Sequence, residues 1–140
     1  MTGTEYEQIQ QLMAIYAYAI DAKDYDAIAA CFTPDAVAVY EGHSHVLRGQ
    51  GEIVAHMKLA LNPFDVTQHL VTNHIVDVEG GNGQLKCDVL GQHVRQGERL
   101  IAGGKYIVEL RRTAGQWKIS RLSARSVWSD GNKSMLPTAE

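Results

Sequence analysis

Thr67-Gln-His69-Leu-Val-Thr-Asn73-His-Ile-Val-Asp-Val78 reads as one long β-strand. The stretch is rich in β-branched residues, lacks glycine and proline, and presents alternate residues to opposite faces of a pleat. His69, Val71, Asn73 and Ile75 share one face; Leu70, Thr72, His74, Val76 and Val78 share the other. Both sets are largely apolar, so both faces are expected to be covered. Helices can cover one. A second subunit is the simplest cover for the other, which predicts a homo-oligomer, dimer or trimer.

Downstream of this stretch the chain stays strand-like. Gly80-Gly81-Asn82-Gly83 is a hairpin signal, followed by strands at 84–96, 100–112 and 116–128 with turns around Gly97-Glu98 and Ala114-Gly115. Upstream it is helical. Thr4-Glu5-Tyr6-Glu7 has the spacing of a capping box, and Ile9, Leu12, Met13, Tyr16, Ala17 and Ile20 form a stripe ending near Asp21-Ala22. Asp24 can cap a short second helix carrying Tyr25, Ile28, Ala29 and Phe32, broken by Thr33-Pro34-Asp35. A first strand is expected at 36–40, a loop at 43–51 and a third helix at 52–61, ended by Asn62-Pro63. Helices followed by long antiparallel strands predict an α+β fold with helices on one face of a bent sheet. Strands this long curl, and a curled sheet encloses a pocket.

The 140 residues suit a single domain, with about 5–132 as ordered core and 133–140 as a loose polar tail. The net charge is −3 and the 13 Lys and Arg are scattered, so no nucleic-acid or membrane surface is expected. The polar, acidic start is unlike a signal peptide, and no apolar run approaches the roughly 20 residues of a membrane span. A cytoplasmic protein is expected. Cys31 and Cys87 lack metal-type spacing and read as buried thiols.

Several polar residues fall where ordinary packing would not place them. His69 and Asn73 stand among aliphatics, and a polar group in a core must be paired. A satisfied core histidine is the plain alternative for His69. Asp21 ends the first helix, where the helix dipole disfavours negative charge. A histidinium partner would account for it; an exposed helix-end aspartate is the plain alternative. Tyr16 lies on the apolar stripe, about 140° around the helix from Asp21, so the two share no face on a regular helix. Tyr40 ends the first strand. His93 shares strand parity with Leu85, Cys87, Val89 and Gly91. His43, His45 and His56 read as exposed. His43 and His45 lack a third ligand nearby, so no metal site is expected. Nucleotide-binding and serine-hydrolase motifs are absent from the sequence.

The run Tyr16-Ala-Tyr-Ala-Ile-Asp21-Ala-Lys-Asp24-Tyr25-Asp26, with Phe32-Thr-Pro-Asp35-Ala, resembles the opening of SnoaL-like proteins. So do Gln68-His69-Leu-Val-Thr-Asn73, Gly104-Lys-Tyr106, Gly115-Gln-Trp117-Lys and Trp128, a resemblance spanning roughly 5–132. It implies a cone-shaped barrel: a strongly curved antiparallel or mixed sheet and three helices of the N-terminal half enclosing a pocket. Functionally the chain is most similar to scytalone dehydratase, bile acid 7α-dehydratase and hexachlorocyclohexane dehydrochlorinase. The resemblance implies an aspartate–histidine dyad at Asp21 and His69, with Tyr16, Tyr40 and His93 as further catalytic candidates. Asn73, Tyr106 and Trp128 are the expected substrate-binding residues. Gly104 and Tyr106 replace the serine and asparagine of scytalone dehydratase, which argues against scytalone as substrate. Tyr40 stands where ketosteroid isomerase has its base. The function expected is a lyase without cofactor, acting like a dehydratase on a small, cyclic, mostly apolar molecule. The alternatives are an isomerase or cyclase, and a non-catalytic binding or assembly module.

Overall fold

The computed structural model describes residues 3–41 and 46–135. Helix α1 (Glu5–Ala22) begins where the Thr4 hydroxyl accepts the Glu7 N–H over 3.1 Å. It ends at Lys23, whose left-handed backbone (φ 53°) lets the Lys23 and Asp24 N–H groups close on the carbonyls of Ile20 and Ala19. Asp24 then caps α2 (Tyr25–Ala30) by accepting the Ala27 N–H.

Strand β1 (Phe32–Tyr40) begins earlier than expected. The second helix has ended at Ala30, before Thr33-Pro34-Asp35, and these three residues sit inside β1, in the register shift between Phe32 and Val37. A bulge is where a strand tolerates a residue that cannot donate to the ladder. The two-residue β2 (Leu47–Arg48) pairs with β1 and leads into α3 (Gly49–Leu61), one turn longer than its apolar stripe indicates. His43 and His45 lie outside the described residues.

Four long strands follow: β3 (Val66–Glu79), β4 (Asn82–Arg95), β5 (Glu98–Thr113) and β6 (Gln116–Gly131). Gln96-Gly97 and Ala114-Gly115 join the last three, each with positive φ at both residues, as tight hairpins require. The sheet order is β2-β1-β6-β5-β4-β3, with β1 parallel to β6 and the other pairs antiparallel. The fold is α+β, as expected: a mixed six-stranded sheet with the helices in the N-terminal half. Ile9, Met13, Tyr16 and Ile20 of α1 pack into one core with Ile53 and Met57 of α3 and inward residues of β1, β4, β5 and β6.

β3 lies at the sheet edge, and its outer face, the one expected to meet a second subunit, is exposed in the single chain, with Leu70 46% and Ile75 65% accessible. The face alternation departs from expectation: a register shift between Thr72 and Ile75, with Asn73 at φ 59°, reverses it. Val71 packs on the core before the shift, and Val76 and Val78 pack on it after. Simple two-residue periodicity runs through this bulge and assigns Asn73 and Ile75 to the wrong face. At the C-terminus, the expected loose tail starts with a short 3-10 helix (Lys133–Met135). It seats Met135 against Phe64 and Leu100.

Candidate active site

The end of α1 meets the open edge of β3. In an edge strand every second backbone N–H has no strand partner. The N–H of His69 is one of these, and it donates to Asp21 Oδ2 over 2.9 Å. The other carboxylate oxygen, Oδ1, accepts from the imidazole Nδ1 of His69 over 2.7 Å and from the Thr67 hydroxyl over 3.1 Å. Three donors therefore stabilise a carboxylate that the helix dipole alone would disfavour. Both side chains are mostly covered, His69 12% and Asp21 24% accessible. A carboxylate only accepts, so in the neutral ring Nδ1 carries the proton and Nε2 holds the lone pair.

This arrangement resolves the angular conflict between Tyr16 and Asp21. The two need not face the same way: Asp21 reaches sideways to the strand edge, while His69 and Tyr16 both line a cavity of about 440 Å³. Its walls are mostly apolar, among them Ile20, Met57, Leu61, Phe64, Val89 and Leu100. A larger groove of about 690 Å³ involves Asn73, Asp88 and Lys105 and has neither His69 nor His93 in its walls.

His93 on β4 meets the His69 ring edge-on, centroids 5.5 Å apart. Its Nδ1 lies 3.3 Å from the Leu100 carbonyl, which again assigns the proton to Nδ1 and the lone pair to Nε2. Burial, with the neighbouring His69 next in effect, pushes the His93 pKa below the usual histidine range. His93 is thus an uncharged acceptor near neutral pH. Gly91 makes room for both rings: a Cβ there would lie 3.1 Å from His93 and 3.2 Å from His69.

Tyr16, Tyr40 and Tyr106 also line the cavity. Burial raises all three phenol pKa values, that of Tyr40 to about 12. They are therefore protonated hydrogen-bond donors rather than bases. Tyr16 packs edge-on against Tyr106 and Phe32. Its hydroxyl lies in the electrostatic reach of Tyr40 and makes no well-formed hydrogen bond among the described residues, although it is fully buried. Such a group costs about 1–3 kcal/mol unless a partner reaches it.

Two expected binding residues fall elsewhere. The bulge turns Asn73 to the outer face, where its amide donates to Asp88 over 2.7 Å. Trp128 is half exposed and lies across Gly103 without lining the cavity; the register shift at Gly103–Gly104 brings Ser126 into the lining instead. Tyr106 lines the cavity.

Two further residues at the site carry no signal in the sequence. Thr67 is by type an ordinary strand residue. His56 read as exposed, yet it stacks on Tyr40 at 4.6 Å and lines the cavity beside Met57, whose sulfur accepts from the Tyr40 hydroxyl. The stripe Ile53–Met57–Leu61 marked the buried face of α3 but not the cavity within it. Cys31 and Cys87 are buried thiols whose pKa values burial raises to about 11 and about 12, so they are poor nucleophiles. Among the described residues no three metal-binding side chains converge, and no helix is long and apolar enough to cross a membrane.

Known proteins resemble this chain in sequence and shape. The profile of the SnoaL-like domain matches residues 2–123. Terrestric acid biosynthesis cluster protein E of Penicillium crustosum is 34% identical over 124 residues, 81% of this chain and 78% of that protein. A solved structure from Novosphingobium aromaticivorans, provisionally described as an aromatic ring hydroxylase, is 28% identical with a TM-score of 0.83, covering 95% of this chain and 99% of that one. Another from that organism, provisionally described as a scytalone dehydratase, shares the fold at 22% identity and a TM-score of 0.85, over 96% and 92% of the two chains.

Proposed function

The chain belongs to the SnoaL-like family, and on that premise we propose that it is a lyase eliminating water from a small, cyclic, mostly apolar hydroxy-carbonyl compound. One observation carries the reading: the 2.7 Å contact between Asp21 and His69 Nδ1, which leaves the Nε2 lone pair of a cavity-lining ring available. His69 Nε2 takes a proton from the carbon next to the substrate carbonyl, and the C–H electrons form an enolate. Asp21 stabilises the resulting imidazolium, as the acid of a catalytic triad does. The Tyr16 and Tyr40 hydroxyls donate to the enolate oxygen, a charge that exists only after the proton has left. When the carbonyl re-forms, a C=C bond forms, the C–OH bond breaks, and the departing hydroxide recovers the proton from His69 as water. His93 accepts from a substrate hydroxyl, and Tyr106 shapes the wall.

The outer sheet face supports the further proposal of a homo-oligomer, since Leu70, Ile75, Ile107 and Val127 would leave water against a second copy. Sedimentation giving only a monomer would refute this part.

The test is incubation with a panel of cyclic β-hydroxy ketones, followed by mass analysis. A product lighter by one water, formed by the parent and abolished in both Asp21→Asn and His69→Gln, supports the lyase. Product of unchanged mass would mean isomerisation or cyclisation by the same proton transfer. Binding without turnover would mean a carrier or assembly role, and turnover that survives both substitutions would falsify the dyad.

A further inference from the structure

Thr67 precedes His69 by two residues on the same face of β3, and among the described residues it and Thr33 are the buried polar ones. Its hydroxyl donates to Asp21 Oδ1, the very oxygen that accepts the His69 Nδ1–H. Oδ2 is occupied separately by the His69 backbone. An acceptor oxygen shared by two donors is polarised by each, so strengthening one bond weakens the other. The His69 backbone and the Thr67 hydroxyl also hold the carboxylate from both ends, which fixes its rotation before the imidazole bond is counted.

We propose that Thr67 is a positioning residue that tunes the Asp21–His69 pair, orienting the carboxylate and moderating how strongly Oδ1 draws on the imidazole N–H. The inference rests on the dyad reading and extends it by naming the group that controls the dyad. Threonine suits the place: its β-branched stem fits the strand and its hydroxyl reaches the oxygen. The other titratable groups facing the His69 ring are His93 from β4, bonded to the Leu100 carbonyl, and the cavity phenols of Tyr16, Tyr40 and Tyr106.

The test uses the whole protein without substrate. Imidazole 15N shifts of His69 are read through its carbon-bound ring protons at neutral pH. Thr67→Val keeps the shape and removes the donor; Thr67→Ser keeps the donor. The Nδ1 signal is expected to move downfield in Thr67→Val and to stay at the parent position in Thr67→Ser. Thr67→Ala, a second variant without a donor, should shift in the same direction. In the Asp21→Asn background, Thr67→Val should add no change. An unmoved Nδ1 signal in both Thr67→Val and Thr67→Ala overturns the inference. So does an equal shift in Thr67→Ser, or a shift that persists without the carboxylate. A parent protein whose neutral His69 carries its proton on Nε2 would instead sink the dyad reading itself, whatever Thr67 does.

Discussion

His69 binds Asp21 twice, through its ring Nδ1 at 2.7 Å and through its own backbone N–H at 2.9 Å. The second bond uses a donor that only an edge strand leaves open, so the geometry of the pair is tied to the position of β3 in the sheet. The carboxylate at a helix end and an open strand edge satisfy one another at the point where the cavity acquires its base. The pair therefore contributes to docking α1 against β3 as well as to the proposed chemistry.

Asp21→Asn should lower kcat by about 10²–10⁴-fold, because an amide can present the wrong group to Nδ1 and cannot balance an imidazolium. His69→Gln should fall at least as far. Turnover of the β-hydroxy ketone to its dehydrated product, measured beside melting temperatures to exclude unfolding, checks both. A drop of under tenfold in either variant contradicts the assigned roles.

Tyr16→Phe separates stability from activity. The Tyr16 hydroxyl is buried without a well-formed hydrogen bond, so its removal should leave the free protein equally stable or more stable, by up to about 1 kcal/mol. The same change should cost about 10²–10³-fold in kcat if the hydroxyl meets developing charge on the substrate. Urea unfolding together with kinetics reads both effects. Marked destabilisation would show a partner for the hydroxyl already present in the free protein.

Asn73→Gly should leave activity unchanged, since Asn73 faces away from the cavity and bonds to Asp88. Glycine is the suitable replacement, because residue 73 has φ 59° and other side chains are strained there. A loss of kcat or a raised KM would return Asn73 to the substrate site.

Gly91→Ala tests the floor beneath the two histidines. The added methyl meets both rings at 3.1–3.2 Å, closer than comfortable contact, so one ring must move. Folding should survive, with turnover reduced about tenfold or more, since small displacements of reacting groups are costly. Circular dichroism and the elimination assay decide it; unchanged turnover would mean the ring positions are not critical.

Stability should decline in mild acid. Burial lowers the pKa of His74, whose Nε2 is buried and unpaired, and of His93. Both groups have a folded pKa below the unfolded value of about 6.5, so the unfolded chain binds more protons below neutrality. The stability they contribute is complete above that unfolded value and is lost as pH falls through it toward the folded values. Urea midpoints between about pH 8 and pH 5 should fall, and His74→Leu should flatten the curve. A parent midpoint that rises toward acid contradicts the assignment.

Much of the fold was legible in the sequence because its signals are local. The Thr4 and Asp24 caps, the stripe from Ile9 to Ile20 and the turns at Gly97 and Gly115 depend only on near neighbours, and all appear in the structure. The start of β1 at Phe32 and the bulge at Asn73 escaped for the opposite reason. Whether the residues after a helix join a strand through a bulge, and whether an asparagine interrupts a ladder, depends on the partner strand.

The candidate site divides along the same line. Side-chain chemistry raised Asp21, His69, Tyr16, Tyr40 and His93 as residues to explain, an acid at the wrong end of a helix among them, and the family resemblance supplied their catalytic roles. Thr67 and His56 gave no such signal, because a threonine in a strand and a histidine on an exposed-looking helix are ordinary. The sequence determined which residues had to be explained, since burial and the helix dipole act on each residue type in its own element. Only the tertiary structure decided that one carboxylate would be shared by a helix end and an open strand edge. Contacts between residues 46 to 48 positions apart are set by how the sheet closes, and no local pattern encodes that.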